Sequence, residues 1–220
     1  MKIRIAIITS LLVVTAFAAP AAAQGGNFTL GVRAACGLPF GTAGDGWKLG
    51  ELTTFGVPVQ VDADFRLNEN WQVGGYFSYG PVTVADEAKA SLAALGLSDI
   101  GGHRQQRVGA QVTYDVLPQA RFSPWVGLSA GYEWTRYAGA KLPTGMETEI
   151  GMAGFDAAVQ LGGAFKVSPR VAVGPYVALD LGQFRQNLRW EEEGDTSFTS
   201  IGQKATHQWV RFGFKMSYVF

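Results

Sequence analysis

The 220-residue chain balances 18 basic against 18 acidic residues and carries 29 glycines, 12% aromatics and a single cysteine. Lone Cys36 excludes an intramolecular disulfide framework, and the lack of a basic excess argues against a nucleic-acid partner. Beyond the N-terminal region no apolar run reaches the roughly eighteen residues of a transmembrane helix, so a membrane-embedded chain would have to cross with strands.

Lys2 and Arg4 precede an apolar stretch from Ile5 to Ala19, and Ala21-Ala22-Ala23 stands before Gln24. This pattern predicts a cleaved secretory signal peptide over 1–23 and a mature domain over 24–220. No cysteine stands at the cleavage site, so a lipoprotein is not suggested. Losing Lys2 and Arg4 leaves 16 basic and 18 acidic residues, a net charge of −2.

Eight segments then alternate apolar and polar side chains with a period of two, the mark of a strand with one greasy face. In chain order they run Phe28–Leu38, Phe55–Arg66, Trp71–Tyr79, Val108–Val116, Val126–Trp134, Phe155–Phe165, Val171–Leu181 and Val210–Phe220. Short connections (Leu67–Asn70, Leu117–Phe122, Ser168–Arg170) alternate with long ones (Pro39–Thr54, Pro81–Arg104, Tyr137–Met152, Arg185–Ala205). The second long connection predicts a short helix over Asp86–Leu95. Pro58 and Pro175 each remove a ladder hydrogen bond and are read as bulges. Cys36 falls on the apolar face, as a small hydrophobe.

Which face looks inward decides the class. The polar face carries Arg33, Arg66, Arg107, Lys166, Arg211 and Lys215, together with Asp62, Asp64, Asp115, Glu133, Asp156 and Asp180 and many glycines. Eight strands enclose a space only just wide enough for side chains, and the apolar stripes are too bulky for it. With the polar face inward, glycines make room and acids meet bases. Aromatics such as Phe28, Trp71, Trp134 and Phe155 then lie near the ends of the outer stripes, as interface girdles should. The fold predicted is an all-β, eight-stranded antiparallel up-and-down transmembrane β-barrel.

The final strand places Val210, Phe212, Phe214, Met216, Tyr218 and Phe220 on one face. Signal peptide, eight alternating strands and this terminal row resemble the small outer-membrane β-barrels, the OmpA-barrel, OmpX and OmpW group. The resemblance covers the mature chain as a pattern, not as an exact motif. It implies a bacterial outer-membrane location with both termini periplasmic, contact with outer-membrane lipids and lipopolysaccharide, and a monomer. It also implies that Phe214, Met216, Tyr218 and Phe220 act as the signal read by the barrel-assembly machinery.

Pairing Leu117 with Ser123 across a short turn places Arg107 opposite Glu133; the third short turn sets Lys166 opposite Ala172 and Gly162 opposite Tyr176, the glycine making space for the ring. Pairing Phe184 with His207 places Asp180 opposite Arg211. Arg107–Glu133 and Asp180–Arg211 are therefore expected as ion pairs in the lumen. Balanced signs favour a satisfied polar plug over a selective pore, which usually shows one sign in excess. The function read from the sequence is a structural and surface-display barrel. The alternative is a narrow channel for small, including hydrophobic, solutes, with Phe40, Trp47, Leu49 and Phe198 forming an apolar mouth. A lipid-modifying enzyme would need His103 or His207, read as rim residues, to meet Ser91, Ser98, Ser197 or Ser200, and no motif fixes such a triad. The acidic run Glu191–Asp195 lacks the ligand spacing of a calcium site. No catalytic, metal or cofactor site is assigned.

Overall fold

A computed structural model of the chain describes residues 27–94, 103–141, 147–191 and 196–220. The expected signal peptide, Ser98 and residues 192–195 lie outside them. The elements are β1 (Phe28–Gly44), β2 (Trp47–Lys48), α1 (Leu49–Leu52), β3 (Thr53–Gly56), β4 (Val59–Arg66), β5 (Trp71–Val84), α2 (Asp86–Ala94), β6 (His103–Asp115), β7 (Phe122–Lys141), β8 (Glu147–Lys166), β9 (Val171–Glu191), β10 (Thr196–Ser200) and β11 (His207–Val219). Every pairing is antiparallel. β11 pairs with both β9 and β1, and β9 with β8, so the sheet closes into a ring. Its eight staves are β1, β3 with β4, β5 to β9, and β11.

Closure removes every sheet edge through the wall, which is what allows strands to span hydrocarbon. Val32, Val61, Val108, Leu128, Val159, Leu179 and Phe214 point outward and are 40–65% exposed. Arg33, Asp62, Arg107, Asp156, Asp180 and Arg211, on the alternating positions, point inward and are buried. A continuous apolar belt of this kind is a liability in water and the favourable surface in a bilayer.

The strands exceed the segments marked by hydrophobic alternation. β1 runs on to Gly44, β5 to Val84, β7 to Lys141 and β9 to Glu191, while β8 starts at Glu147. Much of three of the four expected long loops is therefore strand, and the loop expected over Pro81–Arg104 holds the end of β5, α2 and the start of β6. Beyond the apolar belt the outward positions turn polar (Arg104, Gln106, Arg136), so the alternation stops while the ladder continues. The 20- and 21-residue strands β7 to β9 outreach the 13-residue β6 and β11, and one side of the barrel stands proud, extended by β10.

Neither proline is a bulge. The register of β1 is the same against Gly56 in β3 and Val59 in β4, so Pro58 interrupts the ladder without shifting it; its carbonyl still accepts from Ala35 at 3.1 Å. Pro175 pairs in step with Phe214. The register shifts among the described residues fall instead at Thr42/Gly44, Thr53/Phe55, Tyr137/Ala140 and Ala153/Gly154. The expected loop helix is present as α2, with Lys89 paired to Asp86 at 2.9 Å.

Candidate functional site: a layered plug in the lumen

Inward-facing positions of the eight staves fill the lumen in layers. At the end holding the short turns and both termini of the described barrel, a vestibule of about 500 Å³ is lined by residues including Arg66, Gln72, Asp115, Trp125, Lys166 and Lys215. Gln72 donates to Asp115 at 2.7 Å, and Lys166 donates to the Pro118 carbonyl.

Above the vestibule Trp125 and Tyr176 lie with ring centroids 6.4 Å apart. The guanidinium of Arg33 lies 5.6 Å and 5.4 Å from these two rings, and Lys215 Nζ 5.2 Å from Trp125, both within cation–π range. Register sets Gly162 opposite Tyr176 as expected, but the space is used differently: a Cβ on Gly162 would run into the Trp125 indole.

Arg33 organises the first charged layer. Its Nε donates to Asp62 at 2.6 Å, Nη1 to Gln160, and Nη2 to Gln111 at 3.1 Å. Gln111 passes on to Asp64 and Gln60 to Asp62, each at 2.8 Å, and Lys215 stands 3.6 Å from Asp62. The glutamines matter because a buried carboxylate needs donors for its remaining lone pairs as well as a counter-charge.

The second layer holds the four residues singled out in the sequence, and brings all four together. Arg107 Nη2 lies 3.4 Å from Glu133, its register partner across β6 and β7. The same guanidinium lies 2.9 Å from Asp180 and 3.9 Å from Asp156. Arg211 binds Asp180 through Nε at 2.6 Å and Nη2 at 2.5 Å. The register expected for that last pair is wrong by two: Gly182, not Phe184, faces His207, so Asp180 stands opposite Trp209 and Arg211 opposite Ala178. The ion pair forms diagonally, because an arginine spans the offset between same-face neighbours two residues apart.

His103 and His207 begin strands but are not rim residues; they are 2% and 1% exposed and point inward. His103 shares a 3.0 Å hydrogen bond with Thr53. His207 lies 3.6 Å from Glu133 and stacks on Phe184, centroids 4.1 Å apart, while Ser197 and Ser200 sit exposed on β10. Among the described residues no histidine–serine hydrogen bond occurs.

An apolar cap of Ala43, Leu49, Val82, Phe184, Ile201 and Trp209 closes the far end, with Leu52 and Met152 packed against it. Of the expected mouth residues only Leu49 belongs to the cap; Phe40, Trp47 and Phe198 are 45–64% exposed. Sequence reading missed Trp125 and Trp209 as lumen residues. Parity was the available signal, since Trp125 falls in step with Gly127 and Ser129 on the polar face.

An outward apolar belt, an inward polar core and a closed eight-stave ring define a transmembrane β-barrel of the outer-membrane type. Solved structures share the fold. Neisserial surface protein A (NspA) superposes with a TM-score of 0.55 at 12% identity, over 88% of this chain and 97% of that one. The outer membrane protein OprG from Pseudomonas aeruginosa gives 0.54 at 12%, over 89% and 96%. At such identity the likeness is one of fold. No protein-family model matches the chain, and no curated protein resembles it in sequence.

Proposed function

We propose that this protein is a non-catalytic component of the bacterial outer membrane, a sealed barrel that stabilises the envelope and displays its longer strands outside. In this reading residues 1–23 are removed on export, the chain is a monomer, and the short turns and both termini face the periplasm. The barrel-assembly machinery reads the outward row Phe214, Met216, Tyr218 and Phe220.

The single observation carrying this reading is the plug. Arg107 is wedged among Glu133, Asp156 and Asp180 beneath a cap in which Phe184 is fully buried. An ion entering from the vestibule would meet paired charges of both signs and then apolar packing, both barriers to conduction. The non-catalytic reading is supported by the engagement of both histidines inside the wall, with Thr53 and with Glu133.

Single-channel recording of the refolded mature protein in a planar bilayer tests it. The expected result is a silent membrane, with openings only when the plug is broken by Arg107→Ala together with Phe184→Ala. Discrete openings from the unaltered protein would instead favour the narrow channel, for which the vestibule is a ready-made half-pore.

A further inference from the structure

The vestibule at the turn end of the lumen, about 500 Å³, has the size of a small-molecule site. Its space is left by small inward residues of β8 and β9, namely Ala164, Ala172 and Gly174. Its charge is uneven, with Arg66, Lys166, Arg170 and Lys215 set against Glu69 and Asp115. The acids are also the less available charges. Asp115 already accepts from Gln72 at 2.7 Å, and Glu69 sits exposed in the turn after β4.

Three donors on residues of this lining have no hydrogen-bond partner among the described residues: the hydroxyls of Thr29 and Ser123, and Nε of Arg66. Thr29 is 2% exposed and Ser123 4%, so bulk water does not serve them in place. Buried polar groups are nearly always paired, and an exception asks for a cause. Strand parity puts both hydroxyl residues on the lumen side, Thr29 in step with Arg33 on β1 and Ser123 in step with Trp125 on β7. A change of χ1 from one staggered well to another carries either hydroxyl toward the vestibule. An Nε–H can only donate, and a hydroxyl donates as readily as it accepts, so the partner common to all three is an acceptor. Water can pair with such groups but does not account for the basic excess. A charged acceptor accounts for both and makes the stronger bond. Lys166 and Arg170, exposed at the mouth, draw an anion toward it.

We infer that the vestibule is a binding site for a small oxyanion, a carboxylate or a phosphate, held by Arg66 and Lys215 and by the hydroxyls of Thr29 and Ser123, with Trp125 at its blind end. That the ligand arrives from the periplasm rests on the outer-membrane reading above; the site itself does not.

The test is isothermal titration calorimetry on the refolded mature barrel in detergent, at low chloride so that the buffer anion does not compete. Four probes are compared: succinate, inorganic phosphate, the neutral diamide of succinate, and a diammonium cation of the same length. The unaltered protein is expected to bind one of the anions about tenfold more tightly than the diamide and to leave the cation unbound. Which anion ranks first tells a carboxylate source from a phosphate source. Thr29→Val with Ser123→Ala should weaken that anion about tenfold while the urea midpoint holds or rises, because two unpaired buried hydroxyls are gone. A lowered midpoint would mean that the hydroxyls are structural and would overturn their part in the site. Ala172→Phe, which fills the space without touching a charge, should abolish binding, and Arg66→Gln with Lys166→Gln should remove the preference for anion over diamide. Heat-modifiable gel mobility checks folding, and Ala172→Leu serves where the phenylalanine variant does not fold. Absence of anion binding, equal binding of anion and diamide, or a ranking unaltered in every variant overturns the site. Conductance by the unaltered protein would overturn the sealed-barrel reading and leave this ranking untouched.

Discussion

Arg211 closes on Asp180 with two nitrogens, at 2.6 and 2.5 Å, and the carboxylate oxygen it meets at 2.5 Å is also 2.9 Å from Arg107. Asp180 is thus the counter-charge of two arginines from different staves, β6 and β11, that are not neighbours in the ring. It ties opposite sides of the wall through the lumen, a connection that backbone pairing cannot make.

Removing Asp180 should therefore cost more than removing any carboxylate with a single partner. Asp180→Ala leaves Arg211 buried without the one carboxylate it pairs with among the described residues and strips Arg107 of its closest one. The expected loss is on the order of 3–5 kcal/mol, the range for breaking a buried pair from one side. Asp86→Ala, which disturbs only a surface pair with Lys89, should unfold with the unaltered protein. Urea midpoints in detergent, followed by loss of the compact gel species, make the comparison. Equal midpoints for both variants would mean that the lumen pairs contribute no more than surface ones.

The apolar cap gives a second asymmetry. Phe184 is completely buried and stacked on His207, whereas Phe40, an aromatic of the same end, is half exposed. Phe184→Ala is expected to lower stability by about 3–5 kcal/mol through the cavity it leaves. Phe40→Ala should change it by about 0.5 kcal/mol or less. The same unfolding assay reads both, and a larger effect at Phe40 would displace the cap from its role as the outer seal.

Glycines inside the wall are not equivalent. A Cβ on Gly174 would run into the backbone carbonyl of Gly163 on the adjacent strand, which cannot move without breaking the ladder. On Gly127 the nearest atoms, in Thr113, Trp125 and the Val112 carbonyl, all lie at 3.5 Å, an ordinary contact. Gly174→Ala should cost about 1–3 kcal/mol by overpacking, while Gly127→Ala should be close to neutral. Refolding yield and urea midpoint should move together for the first and stay put for the second.

What sequence could and could not reveal follows the same physics. Period-two alternation marked the staves and the inward face because the bilayer demands apolar residues on one side only. Short turns fixed register: the six-residue step from Leu117 to Ser123 placed Arg107 against Glu133, and Ser168–Arg170 placed Lys166 against Ala172. The long connection after β9 had no such constraint. Its ladder extends to Glu191 and continues through β10, so closing the hairpin at Phe184 and His207 misplaced the register by two. Arg211 reaching Asp180 regardless reflects side-chain length. The inward turn of His103 and His207 was hidden because strand ends were drawn from apolar alternation, which stops short of them.

The orientation of the wall can be checked with the chain's own thiol. Cys36 lies on the outer face of β1 between exposed Val32 and Leu38, and its register partner Phe212 is 49% exposed on β11. Were the apolar face the interior, the same thiol would be enclosed and reachable from neither water nor lipid. A small fluorophore attached to Cys36 in the bilayer-embedded protein should be quenched by nitroxide carried on lipid chains and hardly at all by aqueous iodide. The same label on Asn68→Cys, in the exposed turn after β4 and in a Cys36→Ala background, should show the opposite pattern. Iodide quenching at Cys36 equal to that at position 68 would mean that this stretch of β1 faces water, and the membrane-spanning belt would have to be redrawn.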